Sequence, residues 1–395
     1  MSQLEKDRLD NLADGVTVAH VGPTSAFFTD RGIPFFRTGN VGDRKLILEN
    51  LKQITPEFHQ KLRKSTLKGG DIMVSRVVSD RITCAIVPPE FNGANCGNVI
   101  VIRPGKNIVS EYLAHLITMP ESQRQLLQRQ VGSAQAVVNT SVLKAWEIPL
   151  PPIAQQKRIA AILDQAEELR GLRRQALGAL DAIVQSIFLE MFGDPAMNSK
   201  GWTTLKLGDV IHSAKDGPHV SPAYVEDGIP FLSARHIRRG EVIWADLKFI
   251  SVEDALVYWR RGKPERGDIL YTKGGTTGIA KVIDFDQEIA FWVHIALLKP
   301  NHSKVEPRWL ENMLNSKYCY QQSQRLTHGI ANHDLGLNRM VNIELYLPPL
   351  SLQQEFARRV KAIEQLKATH RESLAQLDAL FASLQHRAFR GELSP

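Results

Sequence analysis

The chain is written twice. Gly32-Ile33-Pro34-Phe35-Phe36 returns as Gly228-Ile229-Pro230-Phe231-Leu232, and Gly70-Asp71-Ile72-Met73 as Gly267-Asp268-Ile269-Leu270. Arg103-Pro104 answers to Lys299-Pro300, Leu150-Pro151-Pro152 to Leu347-Pro348-Pro349, Gln155-Gln156 to Gln353-Gln354, and Leu180-Asp181-Ala182 to Leu377-Asp378-Ala379. One such match is weak. Six in the same order, at offsets of 196 to 198, make the 395 residues a tandem duplication. Every structural element is therefore expected twice.

Each copy has a mixed front part and a helical rear. In the front parts, about residues 12–150 and 202–347, short β-rich runs at 71–76, 83–87, 99–102, 268–272 and 295–298 are punctuated by Gly and Pro, the pattern of a compact α+β domain. Helices are expected near 110–129 and 307–325. The rear parts follow Pro-Pro pairs, which suit a chain entering a helix but not one inside it. From Ile159 the apolar positions run Leu163, Ala166, Leu177, Leu180, Val184, Ile187, Met191, and from Phe356 they run Val360, Ile363, Leu374, Leu377, Phe381, Leu384, Ala388. Spacings of three and four describe a heptad seam. Both seams are broken in the same place, by Arg170 and Arg173 and by Lys367 and His370, which predicts a register device or a separate contact surface.

Each helix, at roughly 36 residues and ~1.5 Å per residue, would be about 50–55 Å long. Neither buries its stripe alone, so the two are expected to pack antiparallel about an approximate two-fold axis, with a head at the N-terminal end of each. The domain boundaries predicted are 1–150 (first head), 151–200 (first helix), 201–347 (second head) and 348–395 (second helix).

Two similar heads held apart by a rod suit a ligand with two sites at fixed separation, and duplex DNA with two half-sites, one turn being ~34 Å, is the leading example. The charge is modest: 49 Lys+Arg against 42 Asp+Glu, net +7, distributed over the four predicted segments as +4, 0, +1 and +2. Contact with DNA would then rest on local clusters and base-edge readout more than on bulk attraction. The candidate DNA-binding residues lie on paired loops. In the first head they are Arg37, Thr38 and Asn40 after the Gly-Ile-Pro strand, Ser75, Arg76 and Arg81 after the Gly-Asp-Ile strand, and Ser133 and Gln135 in the loop before the last strand. In the second they are Arg235, His236 and Arg238, then Lys273 and Thr276, then Asn332 and His333. Arg, Asn, His and Ser/Thr on Gly-containing loops reach phosphates and base edges. For any one of them a plain surface charge is the competing reading; the case rests on the positions as a set. The loops differ between copies while the scaffold agrees, so two different half-sites are expected.

Catalytic motifs are missing. Lys273-Gly274-Gly275-Thr276-Thr277-Gly278 lacks the P-loop pattern, and there is no dinucleotide fingerprint, no nucleophile elbow and no Asn/Asp-Pro-Pro-aromatic tetrapeptide. Cys84, Cys96 and Cys319 are dispersed, and they and the twelve His form no metal-ligand spacing, so structural thiols and no metal are expected. No apolar run approaches the ~18–20 residues that span a bilayer, and the polar start predicts a cytoplasmic protein.

These features resemble the specificity subunits of type I DNA restriction-modification enzymes. The resemblance covers essentially the whole chain. It is carried by Ile148-Pro149-Leu150-Pro151-Pro152-Ile153-Ala154-Gln155-Gln156-Lys157-Arg158-Ile159, the helix ending Phe188-Leu189-Glu190-Met191-Phe192-Gly193-Asp194-Pro195, the opening of the second head at 202–210, and the restart Leu347-Pro348-Pro349-Leu350. It implies two target recognition domains of α+β class separated by two long antiparallel coiled-coil helices. It also implies a non-catalytic subunit that reads a bipartite, asymmetric double-stranded DNA target across a gap set by the helices. Two methylation subunits would dock on the helical segments, carrying S-adenosylmethionine and methylating adenine, and restriction subunits would use ATP and Mg²⁺ to translocate and cleave; no cofactor is expected in this chain. The first head lacks the Trp-x-x-x-x-Leu-Gly-Asp-Val opening of the second, so its opening strand is expected to be trimmed or rearranged. The competing readings are a coiled-coil adaptor that reads no DNA and a specificity subunit of a methylation-only system.

Overall fold

The computed structural model describes residues 4–78, 81–128, 136–329 and 333–392. The chain divides into two compact units, Met1–Arg174 with Glu372–Pro395, and Gln175–Arg371. Each unit contains one mixed head and one half of each of two long helices, Ile153–Phe192 and Leu350–Phe389.

In the first unit a four-stranded antiparallel sheet runs in the order Ala13–Val18, Val99–Pro104, Ile72–Ser75, Cys84–Ile86. The second unit repeats it as Ile211–Asp216, Ile295–Pro300, Ile269–Thr272, Ala280–Val282. A smaller sheet containing Ile33–Phe36 lies beside the first, and its counterpart around Ile229–Leu232 beside the second. The opening strand of the first head is present: Lys6–Arg8 pairs with Glu147–Pro149 as Thr203–Lys206 pairs with Glu344–Leu347. It is one residue shorter than its counterpart and is followed by an α-helix, Leu9–Leu12, where the second head has a 3-10 turn, Leu207–Asp209, so the expected trimming and rearrangement are slight. The strand survives without the Trp motif because its partner strand and the buried Leu9 and Leu12 that follow it hold it in place.

The helical stretch expected in each head is two helices. Met119 is extended because it precedes Pro120, so the chain breaks between Ser110–Thr118 and Pro120–Gln128. In the second head Ser316 is extended and its hydroxyl accepts from Cys319 N, which separates Pro307–Leu314 from Lys317–Leu326. The first helix of each pair buries one apolar face, Tyr112, Leu113, Leu116 and Ile117 in one case and Trp309, Leu310, Met313 and Leu314 in the other.

A buried glutamine joins each long helix to its head. Gln156 Oε1 accepts from Val109 N at 2.9 Å and its Nε2 donates to Pro151 O at 2.9 Å. Gln353 Oε1 accepts from Glu306 N at 2.9 Å and its Nε2 donates to Pro348 O at 2.8 Å. The equivalent of Gln353 is therefore Gln156, at an offset of 197, and the drift to 198 suggested by the paired glutamines disappears.

Both long helices run to 40 residues, starting directly after the Pro-Pro pairs. Within the first unit Ile159, Leu163 and Ala166 join Phe381, Ala388 and Phe389 in one core with Tyr112 and Leu116. Within the second, Val184, Phe188 and Phe192 pack with Phe356, Val360 and Ile363 around Trp309. Asp181 meets Lys367 while Phe188 meets Phe356, so the helices are antiparallel. Burying each of these phenylalanines contributes about 1.5–3 kcal/mol.

The shared polar break is an ion-pair device. Arg170 Nε lies 2.6 Å from Asp378 Oδ1, its NH1 meets Glu167, and its guanidinium stacks over Phe381 at 4.4 Å. In the second unit Lys367 Nζ lies 2.7 Å from Asp181 and 2.8 Å from Glu364. Burial alone would lower the Lys367 pKa, but hydrogen bonds to Asp181 and Glu364 more than offset it and leave it raised.

The first long helix contains an 18-residue window of mean hydropathy 1.2, enough by length and composition to cross a membrane, of which 17% is buried. This corrects the expectation that no segment comes near that threshold. Its Val184, Phe188 and Phe192 face the core of the second unit, and its Asp181 pairs with Lys367.

Candidate nucleic-acid interface

In the first head the two leading loops meet at Asn98. Its backbone is left-handed (φ 57°), its carbonyl accepts from Thr38 Oγ1 at 2.8 Å, and its Oδ1 accepts from Arg76 NH1 at 3.5 Å. Val138 N donates to Arg76 O, which also brings the far end of the loop before the last strand to this place. Around Asn98 lies an open cavity of about 530 Å³ lined by His20, Arg37, Thr38, Asn50 and Asn98. His20 Nε2 and Arg37 Nε are buried atoms with no hydrogen-bond partner among the described residues. Both residues line the cavity, while these two nitrogens are themselves covered from solvent.

The second head joins its loops differently. Lys273 N donates to His294 O and Lys273 O accepts from Leu335 N, while His328 and Asp334 bridge each other and Gly274 bridges Asp334. Gly278 has φ 88°, and a Cβ there would lie 2.2 Å from Ser323 Oγ, so the turn at the end of the loop requires glycine. Arg235, Arg238, Thr276 and His333 stand exposed on these loops. Arg235 NH2 donates to Asp246 O at 3.1 Å, which orients it without burying it.

Four of the predicted contact residues turn inward. Asn40 Oδ1 accepts from Arg37 N at 3.0 Å and its Nδ2 donates to Ile47 O at 2.8 Å; His236 Nδ1 likewise accepts from Ser233 N at 2.9 Å. These two are equivalent braces that close the turn after the Gly-Ile-Pro strand. Ser75 Oγ accepts from Thr83 N at 2.8 Å. Lys273 is buried, with Nζ 3.0 Å from Asp334 and 3.7 Å from Asp216. In this structure the polar groups of these four residues shape the loops. Arg37, Thr38 and Arg76 are half-buried at the first site, and Arg81 is exposed and paired to Asp43 at 3.3 Å. Ser133, Gln135 and Asn332 lie outside the described residues. His20 and Asn98 carried no sequence signal, since neither belongs to a repeated motif or a basic cluster.

Cys84, Cys96 and Cys319 are free and buried. Burial pushes the Cys84 and Cys319 thiols up to about 12, and Cys96 higher still, so they stay protonated and inert. Among the described residues no group of His, Cys, Asp and Glu is placed to hold a metal ion.

Two like-built heads with unlike loops, each docked on its half of an antiparallel helix pair, define a tandem DNA-specificity architecture. The chain matches the family model described as type I restriction modification DNA specificity domain over residues 23–177 and 199–379, and it belongs to that family. It is 23% identical to the type I restriction enzyme EcoKI specificity subunit of Escherichia coli K12, covering 93% of this chain and 84% of that one. It is 20% identical to the MjaVIII specificity subunit of Methanocaldococcus jannaschii, over 77% of this chain and 78% of that one. The crystal structure of the type I restriction-modification S subunit from M. genitalium shares the fold, with a TM-score of 0.58 at 15% identity over 98% of this chain and 96% of that one.

Proposed function

We infer that this chain is the sequence-reading subunit of a type I restriction-modification complex, in which each head reads one half of a bipartite, asymmetric DNA target. The observation that carries this is the duplicated head with different loop chemistry on a common scaffold. The first site is a concave pocket lined by Arg37, Thr38 and Asn98, with Arg76 hydrogen-bonded to Asn98 beside it; the second presents Arg235, Arg238, Thr276 and His333 on its loops. Unlike loops at equivalent positions read unlike half-sites. A forty-residue helix at ~1.5 Å per residue measures about 60 Å, and the helix pair acts as the ruler for the unspecified gap.

The chain works without chemistry of its own, in the cytoplasm. Two methylation subunits bring S-adenosylmethionine and methylate adenine, and restriction subunits bring ATP and Mg²⁺ for translocation and cleavage. Leu169, Leu172 and Leu380 on the helices of the first unit, and Ile183, Leu189 and Leu366 in the second, stand exposed and are the apolar ground on which the methylation subunits dock. The weak net charge agrees with this division of labour, because much of the sequence-independent grip on DNA then comes from partners. Mapping methylated adenine across the genome of the source cell, with and without this gene, tests the reading. A single two-part motif that vanishes with the gene supports it; an unchanged methylation map overturns it.

A further inference from the structure

The loops that follow the two Gly-Ile-Pro strands differ in sequence, yet each brings an arginine to the same carbonyl. From Gly32 to Ile54 the first head corresponds to residues 228–250 of the second at a constant offset of 196. The structure keeps that offset. Asn40 and His236 close the turn, Ile47 N donates to Asn40 O at 2.9 Å, and Ile243 N donates to His236 O at 2.8 Å. Lys52–Ile54 and Lys248–Ile250 then pair with the Gly-Ile-Pro strands in the same register. Ahead of these strands Asn50 and Asp246 are both left-handed, at φ 56° and 54°. Arg37 NH2 donates to Asn50 O at 3.4 Å, and Arg235 NH2 donates to Asp246 O at 3.1 Å. By sequence the two arginines are not partners, since Arg37 stands opposite Ser233 and Arg235 opposite Gly39. Side chains rooted two positions apart thus end on equivalent acceptors.

Arginines elsewhere in the heads and helices close on carboxylates, as Arg103 does on Asp71, Arg170 on Asp378 and Arg308 on Asp284. Arg37 and Arg235 make no ion pair among the described residues; a neutral carbonyl takes one N–H of each and leaves the charge unmatched. Arg37 is steadied further by the Phe28 ring, 5.6 Å away, and lines the cavity of the first head with Thr38, Asn50 and Asn98. Arg235 stands exposed on its loop. The surroundings are poor for a phosphate. Glu49 lines the cavity with Arg37, and Asp246 is itself the residue that anchors Arg235, so each site has a carboxylate at hand that repels an anion. A base edge is neutral and meets no such repulsion, and a guanidinium fixed by one N–H has further donors for paired acceptors.

We propose that Arg37 and Arg235 are equivalent specificity-determining residues, each reading the N7 and O6 edge of a guanine in its own half-site. This rests on the reading of the heads as DNA readers and adds to it that two unlike half-sites share one base. The carbonyls of Asn50 and Asp246 set the guanidinium in place, and the position from which the arginine is rooted is immaterial.

The test uses the chain assembled with its methylation subunits, and duplexes of its methylated motif in which 7-deazaguanine replaces one guanine at a time, removing the N7 acceptor and leaving the base pair intact. The wild type should lose roughly tenfold to a hundredfold in affinity at one guanine of each half. Arg37→Ser should bind the unmodified motif about as weakly, become indifferent to the analogue in the first half, and keep its sensitivity in the other, which also shows that the variant is folded. Adding Gly39→Arg roots the arginine where the second head has it. Gly39 is not left-handed and a Cβ there meets nothing within 4 Å, so the double variant should recover both affinity and sensitivity. Wild-type indifference to every analogue, or no recovery in the double variant, overturns the proposal and leaves two-part reading standing. A uniform loss over all duplexes in Arg37→Ser, with a flatter salt dependence, assigns the arginine to a phosphate and overturns it as well. A wild-type complex with no sequence preference overturns the reading of the heads, and the proposal with it.

Discussion

Arg170 Nε and Asp378 Oδ1 lie 2.6 Å apart across 208 positions of sequence, and the same relationship recurs between Lys367 and Asp181. One polar break per seam, each closed by an acid from the other helix, fixes the antiparallel register where the apolar stripe alone would tolerate a slip. Because Asp378 is half exposed, a double-mutant cycle of Arg170→Ala and Asp378→Ala should give a modest coupling of about 0.5–1 kcal/mol, reduced by salt. Chemical denaturation of the four proteins at low and high ionic strength measures it; strict additivity would remove the pair from the register argument.

Phe356 is fully buried among Phe188, Phe192 and Trp309, where the helix seam and the core of the second head are one cluster. Phe356→Ala should cost about 3–5 kcal/mol, while Leu366→Ala on the exposed face should stay within about 0.5 kcal/mol. Denaturation midpoints decide it, and equal effects would contradict the shared core.

His115 is buried between head and helix, with Nδ1 accepting from Arg44 and Nε2 donating to Asp164 at 2.8 Å. Burial lowers its pKa below 6.5, Arg44 adds to that, and Asp164 and Glu167 oppose it. Asp164 is also depressed below 3.8, chiefly by its hydrogen bond from His115. For both groups the unfolded chain binds protons more readily. The contribution of His115 is therefore complete above pH 6.5 and lost as pH falls through its lowered folded value; that of Asp164 is lost at lower pH still. His115→Gln, which keeps an acceptor and a donor, should flatten the loss of stability between neutral pH and pH ~5.5. The same slope in wild type and variant would show that other groups control it.

Arg76→Ala and Arg37→Ala should weaken discrimination at one half-site only, by about 1–3 kcal/mol for a bidentate base contact. Asn40→Ala and His236→Ala should instead loosen their loops and lower binding to every sequence alike. Competition with targets altered in one half-site at a time, in the assembled complex, separates the two effects. A general loss from Arg76→Ala would assign it to a phosphate.

Inserting one heptad into both long helices adds about 10 Å, close to three base pairs at ~3.4 Å each. The preferred gap in the methylated motif should lengthen accordingly. Sequencing of methylated sites reads it directly, and an unchanged gap would separate the helices from gap measurement.

The sequence by itself determined the duplication, the α+β heads, the heptad seams and their shared polar break. Each of these is a periodicity or a recurrence, and periodicity survives without knowledge of contacts. Tertiary structure alone decided what the break does, because the acids that close it lie on the opposite helix, and alone showed that the opening strand of the first head persists on its buried neighbours. It also decided which polar residues face outward. Asn40 and His236 look like reading residues in sequence, yet an unpaired loop N–H nearby claims each of them. Asn98 and His20, silent in sequence, come to the site because the fold folds a third segment between the two loops.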